Sequence, residues 1–177
     1  TMDISVVGAG HVGLVTGACF ADLGHTVVMV DNDAKRIANL KRLIMPYYEP
    51  GLEELVARGV RERRLTFTTS LKDGVVKSTV IFIAVGTPQK ATGEADLSYV
   101  ENVARYIAQH LPGYRLVVEK STVPVQTGQW IQHTIKTYLK KKRPFDVASN
   151  PEFLREGTAV QDFMKPDRVV LGVETKR

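Results

Sequence analysis

The sequence has a single cysteine and no long apolar run, and these absences exclude several classes of protein. With only Cys19, the chain has no internal disulfide framework, and it fits a reducing compartment. No apolar stretch approaches the roughly 20 residues that a membrane-spanning helix requires, so we expect no membrane association. The first residues lack the basic and apolar regions of a secretory signal. Together these features predict a cytoplasmic protein.

Basic residues outnumber acidic ones by 24 to 19, which gives a net charge of +5. They do not alternate with aromatic residues as in nucleic-acid-binding modules, so we expect no nucleic-acid partner. The densest run, residues 140–143 (KKKR), follows a predicted helix. It is interpreted either as a solvated helix end, where cations suit the dipole, or as a patch for polyanions or nuclear targeting. Anionic small molecules would explain the excess of positive charge equally well.

Apolar runs and helical patterns alternate along all 177 residues, without internal repeats or linkers. Strands are predicted at residues 4–7, 27–30, 65–69, 80–85, 116–118, 145–148 and 169–173. Helices are predicted at residues 12–23, 37–44, 49–59, 100–111 and 131–139. The uniformly apolar run VIFIAV is typical of a parallel strand covered on both faces. This alternation predicts one α/β domain, a Rossmann-type doubly wound parallel sheet with helices on both faces.

A glycine motif, GAGHVG, directly follows the first predicted strand and opens the first helix. Gly8 would permit the tight turn, Gly10 would let a pyrophosphate approach the backbone, and Gly13 would let the helix pack closely. The amides at the start of that helix, around His11 and Val12, would point at the phosphates. The motif alone is weak evidence, because a glycine-rich turn can also lack a ligand. Its place between strand and helix favours dinucleotide binding.

An acidic residue, Asp31, ends the second predicted strand 18 residues after Gly13. A carboxylate there would accept hydrogen bonds from ribose hydroxyls and would repel a 2′-phosphate, which favours NAD over NADP. Arg36 is interpreted either as a contact on the adenosine side or as a solvated helix residue. No metal site is predicted.

Two further loops leave strands at the same edge of the predicted sheet. VGTPQ contains Gly86, Thr87 and Pro88, and KSTVP contains Ser121 and Thr122. Ligands of doubly wound sheets bind beyond the carboxyl ends of strands, so both loops should border the cofactor. Hydroxyl groups at strand ends are also common as caps, which is the alternative role.

Two carboxylates, Glu152 and Glu156, lie four positions apart in SNPEFLREG, behind a predicted strand. On a helical turn this spacing would put both on one face, where like charges repel. They are interpreted either as braces at a helix start or as groups that handle protons, because a carboxylate near water can act as a general base.

These motifs resemble the UDP-glucose/GDP-mannose dehydrogenase family, the nucleotide-sugar dehydrogenases. The matching pieces are GAGHVGL, VDND, YYEPGLEEL, IAVGTPQ, GEADLSYV, EKSTVPV and SNPEFLREGTAVQDFMKPDRVVLG, in family order over almost the whole chain. The resemblance implies a four-electron oxidation of a sugar C6 alcohol to a carboxylate. NAD is the cofactor, and two molecules of it are consumed. It also implies a cysteine that carries a thiohemiacetal and then a thioester.

The resemblance assigns roles to individual residues. Glu152 matches the glutamate implicated in handling water and protons, and Glu156 matches one near the nicotinamide end of NAD. Phe153, Leu154 and Arg155 match residues that run beside the nucleotide-sugar substrate, and all five residues from Glu152 to Glu156 are predicted to bind it. By the same resemblance, Thr122 helps to place the catalytic water.

The sequence departs from the family pattern at two positions and lacks one part. His11 stands where tyrosine is usual, and Gln126 stands where glycine is common. The family's nucleophilic cysteine lies in a later domain, and Cys19 is in the wrong motif to replace it. We therefore expect residues 1–177 to be the NAD-binding half of an enzyme that oxidises UDP-glucose to UDP-glucuronate. We expect that enzyme to be homodimeric or larger. GDP-mannose and UDP-N-acetylhexosamine oxidation, or a non-catalytic NAD-binding module, are the alternatives.

Overall fold

The computed structural model describes residues 1–121 and 126–173. Its strands are β1 (Asp3–Val7), β2 (Thr26–Val30), β3 (Leu65–Thr68), β4 (Val80–Ile83), β5 (Arg115–Glu119), β6 (Phe145–Ser149) and β7 (Gly172–Val173). Its helices are α1 (His11–Asp22), α2 (Ala34–Lys41), α3 (Leu52–Arg61), α4 (Leu71–Lys77), α5 (Ser98–His110), α6 (Thr127–Tyr138) and α7 (Ala159–Met164).

The seven strands form one sheet in the order β3-β2-β1-β4-β5-β6-β7. The first six are parallel, and the chain reverses its direction across the sheet between β1 and β4, so the predicted doubly wound α/β fold is confirmed. The prediction for residues 169–173 was wrong in length and direction. Only Gly172–Val173 pairs, and it runs antiparallel to β6.

Helices cover both faces of the sheet and divide the apolar core in two. Side chains of α1, α2, α3 and α7 pack against one face, and those of α4, α5 and α6 pack against the other. Helix α1 is apolar nearly all round, because it is enclosed by the sheet, α3 and α7.

Several helix boundaries differ from the prediction; α6, for example, begins at Thr127 rather than at residue 131. Helix α2 ends at Lys41, where Leu43 adopts a positive φ of 60°, and Ile44 is exposed rather than on the buried stripe. Helix α3 begins at Leu52 and continues through Gly59, which was expected to end it. A Cβ at Gly59 would lie 2.9 Å from the Cβ of Leu65, so close helix-to-strand packing explains this glycine.

Helices α4 and α7 are too short for a periodic apolar pattern, and the sequence did not predict them. In α4, a Cβ on Gly74 would lie 2.6 Å from the Oγ of Ser5 and 2.7 Å from Val30. A helix-disfavouring residue therefore sits in a helix because the sheet passes directly beneath it.

Three smaller expectations concern single side chains and runs. Cys19 is fully buried on α1, and burial followed by the charge of Asp22 raises the pKa of its thiol to about 12, so it is an unreactive neutral group. Residues 140–143 are exposed after α6, as a solvated helix end would be. Among the residues described, no helix combines the length and apolarity needed to span a membrane.

Candidate cofactor and substrate site

The topological switch point lies between β1 and β4. From β1 the chain enters α1 on one face of the sheet, and from β4 it continues to α5 on the other. In such sheets the crevice at the carboxyl ends of these strands is the usual ligand site. Residues 8–13, Asp31 and the loops after β4 and β5 all start from that edge.

Each glycine of the motif has a distinct environment. Gly8 has a φ of +104°, and an added Cβ would collide with the backbone carbonyl of Ala84. A Cβ at Gly13 would overlap the carbonyl oxygen of Gly8, so α1 packs onto the turn itself rather than only onto the sheet. A Cβ at Gly10 would meet nothing within 4 Å, which leaves the approach to the backbone open.

Helix α1 provides neither a side-chain cap nor an acidic residue for its own amino end. Its N-cap residue, Gly10, provides no side-chain cap, and its first turn contains no acidic residue. The amides that start with His11 and Val12 therefore face the open space above Gly10, at the positive end of the helix dipole. This arrangement fits the diphosphate of a dinucleotide.

Asp31 directly follows β2 and is only 7% exposed. Its Oδ2 accepts hydrogen bonds from the amide of Ala9 at 2.7 Å and from Arg36 at 3.0 Å, while Oδ1 accepts the amide of Asp33 at 2.9 Å. A carboxylate has about four acceptor positions, so among the described residues Oδ1 retains capacity for one further donor. Asp31 thus braces the glycine turn and can still accept a hydroxyl.

Arg36 is positioned by α2, which Asp33 caps by accepting the amide of Arg36. Its guanidinium group pairs with Asp31, and its side chain is 38% exposed. The pair lies beside the position predicted for the adenosine ribose. Because Arg36 offsets part of the charge of Asp31, the repulsion of a 2′-phosphate is weaker than the sequence suggested.

The loops after β4 and β5 are joined by Ser121. Its hydroxyl donates to the carbonyl oxygen of Val85 at 2.8 Å and lies 3.3 Å from that of Ile83. Gly86 and Pro88 are exposed at the edge of the crevice, and Thr87 lies between them. Ser121 therefore acts as a brace between two candidate cofactor loops. Thr122 lies outside the described residues.

Gln126 occupies the position where glycine was expected. Its φ is +80°, in the left-handed region that favours glycine, immediately before α6. The departure noted in the sequence thus falls on a backbone conformation that is strained for glutamine.

The segment from residue 150 to 158 is not helical, so the prediction that Glu152 and Glu156 share a helical face was wrong. Glu152 turns back on its own backbone, where Oε2 accepts the amide of Leu154 at 2.6 Å. Glu156 is exposed in a turn of residues 156–158, in which Gly157 has a φ of +91°. Helix α7 begins only at Ala159, beyond both carboxylates.

A cavity of about 410 Å³ is lined by four of the five residues predicted to bind substrate. Glu152, Phe153, Leu154 and Arg155 border it, whereas Glu156 does not. The glycines of residues 8–13 are also absent from its lining, so it is separate from the dinucleotide turn. Within residues 1–121 and 126–173, no three His, Cys, Asp or Glu side chains are placed to hold a metal ion.

Two buried charges beside this cavity were missed. Lys120 is 5% exposed, and its Nζ donates to Oδ1 of Asn150 at 3.0 Å. Burial lowers the pKa of Lys120, against the opposing charges of Glu152 and Glu119. Burial raises the pKa of Glu119 to about 7, and its Oε1 has no hydrogen-bond partner within the described residues. The sequence signal that could have identified both residues is two adjacent charges, Glu119 and Lys120, at the end of an apolar strand.

A third missed residue, Glu49, precedes α3 and is 4% exposed. Its carboxylate accepts hydrogen bonds from His11, Gly157 and Ala159. Burial alone would raise the pKa of Glu49, but the hydrogen bond from His11 and those from the two amides lower it overall. The signal was the EPGL motif, which was used only to locate a helix.

The sheet order, the switch point and the uncapped glycine turn define a dinucleotide-binding α/β domain. Comparison with known proteins gives the particular family. Residues 2–177 match the model of the UDP-glucose/GDP-mannose dehydrogenase family, NAD binding domain. The chain belongs to this family, and NAD is its cofactor.

Its sequence is similar to curated UDP-glucose 6-dehydrogenases. It is 53% identical to that of Rhizobium meliloti over 98% of this chain and 40% of the relative, and 50% identical to that of Bacillus subtilis over 96% and 37%. The chain thus spans about 40% of the length of these relatives.

Solved structures agree with the fold. A UDP-glucose dehydrogenase from Pyrobaculum islandicum superposes with a TM-score of 0.96 at 42% identity, over 100% of this chain and 42% of that one. A GDP-mannose dehydrogenase from Pseudomonas aeruginosa gives 0.92 at 39% identity, over 98% and 41%.

Proposed function

We propose that the chain is the NAD-binding part of an enzyme that oxidises the C6 alcohol of UDP-glucose to the carboxylate of UDP-glucuronate. The family match and relatives with this name support the proposal. The observation that carries it is the open, uncapped turn at residues 8–13 beside a buried carboxylate. When bound, NAD would accept the hydride from the sugar carbon.

The cofactor residues follow from their places at the sheet edge. Gly8, Gly10, His11, Val12 and Gly13 would hold the diphosphate through backbone amides and close packing. Asp31 would accept a ribose hydroxyl with its free acceptor position, and Arg36 would restrain that carboxylate.

The remaining candidates would border the nicotinamide and the sugar. Gly86, Thr87, Pro88 and Ser121 lie on the two loops at the crevice, and Glu156 is proposed near the nicotinamide from the family resemblance alone. Glu152, Phe153, Leu154 and Arg155 would contact the nucleotide sugar, because they line the adjoining cavity. Thr122 would help to place water.

Glu152 is proposed as the group that accepts a proton from the attacking water when the thioester is hydrolysed. We expect Glu152→Gln in the parent enzyme to lower kcat by about 100-fold, a typical general-base contribution. Affinity for NAD should stay near that of the wild type, because Glu152 lines the cavity and not the turn. Stopped-flow absorbance at the NADH band and calorimetric titration would measure both. Unchanged turnover would remove Glu152 from the mechanism.

The test of the function has two stages. Calorimetry should detect NAD binding to the 177-residue chain. The chain with NAD and UDP-glucose should produce no NADH, since the resemblance places the remaining catalytic residues, a lysine and an asparagine as well as the cysteine, in a later domain. The parent protein should then be screened against UDP-glucose, GDP-mannose and UDP-N-acetylmannosamine. A preference for GDP-mannose would favour the second candidate, which the 39% identity to a GDP-mannose dehydrogenase supports.

Two further expectations belong to the parent enzyme. We propose a homodimer or larger assembly in the cytoplasm, which sedimentation and cell fractionation would test. A parent protein that binds NAD but oxidises none of the three nucleotide sugars would support a non-catalytic module instead.

A further inference from the structure

Glu49 joins three segments that are far apart in sequence. Its Oε2 accepts hydrogen bonds from Nε2 of His11 and from the amide of Gly157, both at 2.9 Å. Its Oε1 accepts the amide of Ala159, also at 2.9 Å. An ionised carboxylate only accepts, so the proton of this His11 contact resides on Nε2.

One arm of this cluster reaches the cofactor turn. His11 is the first residue of α1, whose opening amides face the candidate diphosphate site. Its carbonyl oxygen accepts the hydroxyl of Tyr47 at 3.2 Å, and the two rings lie 5.0 Å apart between centroids. The side chain and the backbone of His11 are therefore both held by residues 47–49.

The other two arms reach the end of the candidate substrate segment. Gly157 and Ala159 follow directly after residues 152–156. Helix α7 starts at Ala159, and its N-cap residue, Thr158, makes no side-chain cap. Glu49 accepts the amide of Ala159 in place of a cap from Thr158, so it fixes the point where residues 152–158 end and α7 begins.

We propose that Glu49 is a positioning residue that couples occupation of the dinucleotide turn to the order of residues 152–159, with His11 as the link. A diphosphate bound to the amides of the first turn of α1 would order His11. A better-ordered ring strengthens donation from Nε2 to Glu49. A better-fixed Glu49 then restrains the amides of Gly157 and Ala159, which prepares the substrate segment.

The coupling has to be reciprocal. If NAD stabilises the Glu49 cluster, the intact cluster raises the affinity for NAD by the same factor. Rigidification by one ligand transmits in this way without a large structural change. We expect a factor of about five, at the low end of measured couplings.

The inference rests on the proposed function, and its test uses the 177-residue chain. Hydrogen exchange of the Gly157 and Ala159 amides would be measured by NMR with and without saturating NAD. In the wild type, NAD should slow both by about five-fold. In Glu49→Gln, one end of the side chain donates instead of accepting, so exchange should be fast and should not respond to NAD. NAD affinity should fall by a similar factor.

His11→Phe is the second variant, in case Glu49→Gln does not fold. It keeps a ring against Tyr47 but removes Nε2, so both amides should lose their response to NAD. Glu53→Gln is the matched control. It makes the same chemical change at an exposed position of α3, outside the Glu49 cluster. It should retain the wild-type response.

The outcomes separate this inference from the function itself. A wild-type chain that binds no NAD would overturn the proposed function. NAD binding without slower exchange at Gly157 and Ala159, or the same slowing in His11→Phe, would overturn the coupling alone. If Glu49 had only a structural role, Glu49→Gln would speed exchange of the two amides by the same factor with and without NAD. That result would also overturn the coupling.

Discussion

The dinucleotide turn and the segment of residues 149–173 are stabilised in different ways. In the first region, four of the five residues of β1 and eight of the twelve in α1 are buried. In the second, Ala159 is the single buried residue, and Val169, Leu171 and Val173 are each more than 60% exposed. Burial in the core fixes the first region. The second combines the packing of Leu154 and α7 against the core with polar contacts from other segments.

The difference explains how each region can serve its proposed role. The turn presents backbone amides, which must be placed within tenths of an ångström, so packed glycines and a buried carboxylate hold it. Residues 150–157, which include the candidate substrate residues, are positioned by hydrogen bonds. Glu49 and Lys120 reach them from other parts of the chain, and Asp162 reaches them from α7. Such contacts can change strength with ligand, pH or salt.

Gly13→Ala should have the largest effect, because it attacks the packed region. A Cβ there overlaps the carbonyl oxygen of Gly8, which is backbone and cannot swing aside as the end of a flexible side chain could. We expect a loss of about 3 kcal/mol in the free energy of unfolding, measured by urea denaturation. Gly10→Ala is the matched control, since its Cβ meets nothing and only NAD binding should suffer. Equal stability of both variants would contradict the packing argument.

Glu119 lies at the boundary, where its carbonyl oxygen accepts the amide of Asn150. Burial raises the pKa of its carboxyl from 4.5 to about 7. The unfolded chain therefore releases this proton first, so stability falls as pH rises from about 4.5 to about 7 and then levels.

Glu119→Gln should remove this decline and make the chain more stable than the wild type at pH 8. One pKa unit corresponds to about 1.4 kcal/mol, so the gain is a few kcal/mol at most. Urea denaturation from pH 4 to 8 would measure it. Parallel pH profiles of the two proteins would show that Glu119 is not the titrating group.

Asp31→Asn tests the boundary between the turn and the adenosine side. The change keeps an acceptor for Ala9 but leaves Arg36 without its counter-ion. We expect the affinity for NAD to fall about tenfold, in line with the loss of a charge-assisted hydrogen bond. The ratio of NAD affinity to NADP affinity should also decrease. Calorimetry with both cofactors measures this. A preference unchanged from the wild type would deny Asp31 its selective role.

The smallest effect should come from salt on the second region. Arg155 donates through its amide and guanidinium to Asp162, in an exposed pair. The Arg155 hydrogen bonds lower the pKa of Asp162. The contact therefore contributes its full stability above about pH 4, and this contribution declines as pH falls toward the lowered pKa.

At 1 M salt the Debye length is about 3 Å, so the Arg155 amide should exchange a few-fold faster at pH 6. The amide of Leu14, inside α1, should not respond, and Arg155→Ala should abolish the salt effect. An equal response at both amides would mean that the two regions do not differ as described.

The sequence predicted the first region better than the second for a physical reason. Strands such as VIFIAV and the turn GAGHVG depend on local pattern and on neighbouring residues, so the chain order reveals them. Helix α4, the interior position of Gly59 and the direction of β7 depend on what lies across the sheet. The non-helical path around Glu152 likewise depends on distant partners.

The amino-acid order alone determined the alternating strands and helices, the glycine turn and the acidic residue after β2, because each is set by neighbours within about 20 positions. Only the tertiary structure decided that Asp31 braces Ala9, that Lys120 is buried against Asn150, and that Glu49 ties His11 to Gly157. The residues of that last tie are separated by 38 and 108 positions. A buried carboxylate must find its donors wherever folding brings them, and no local pattern records where that is.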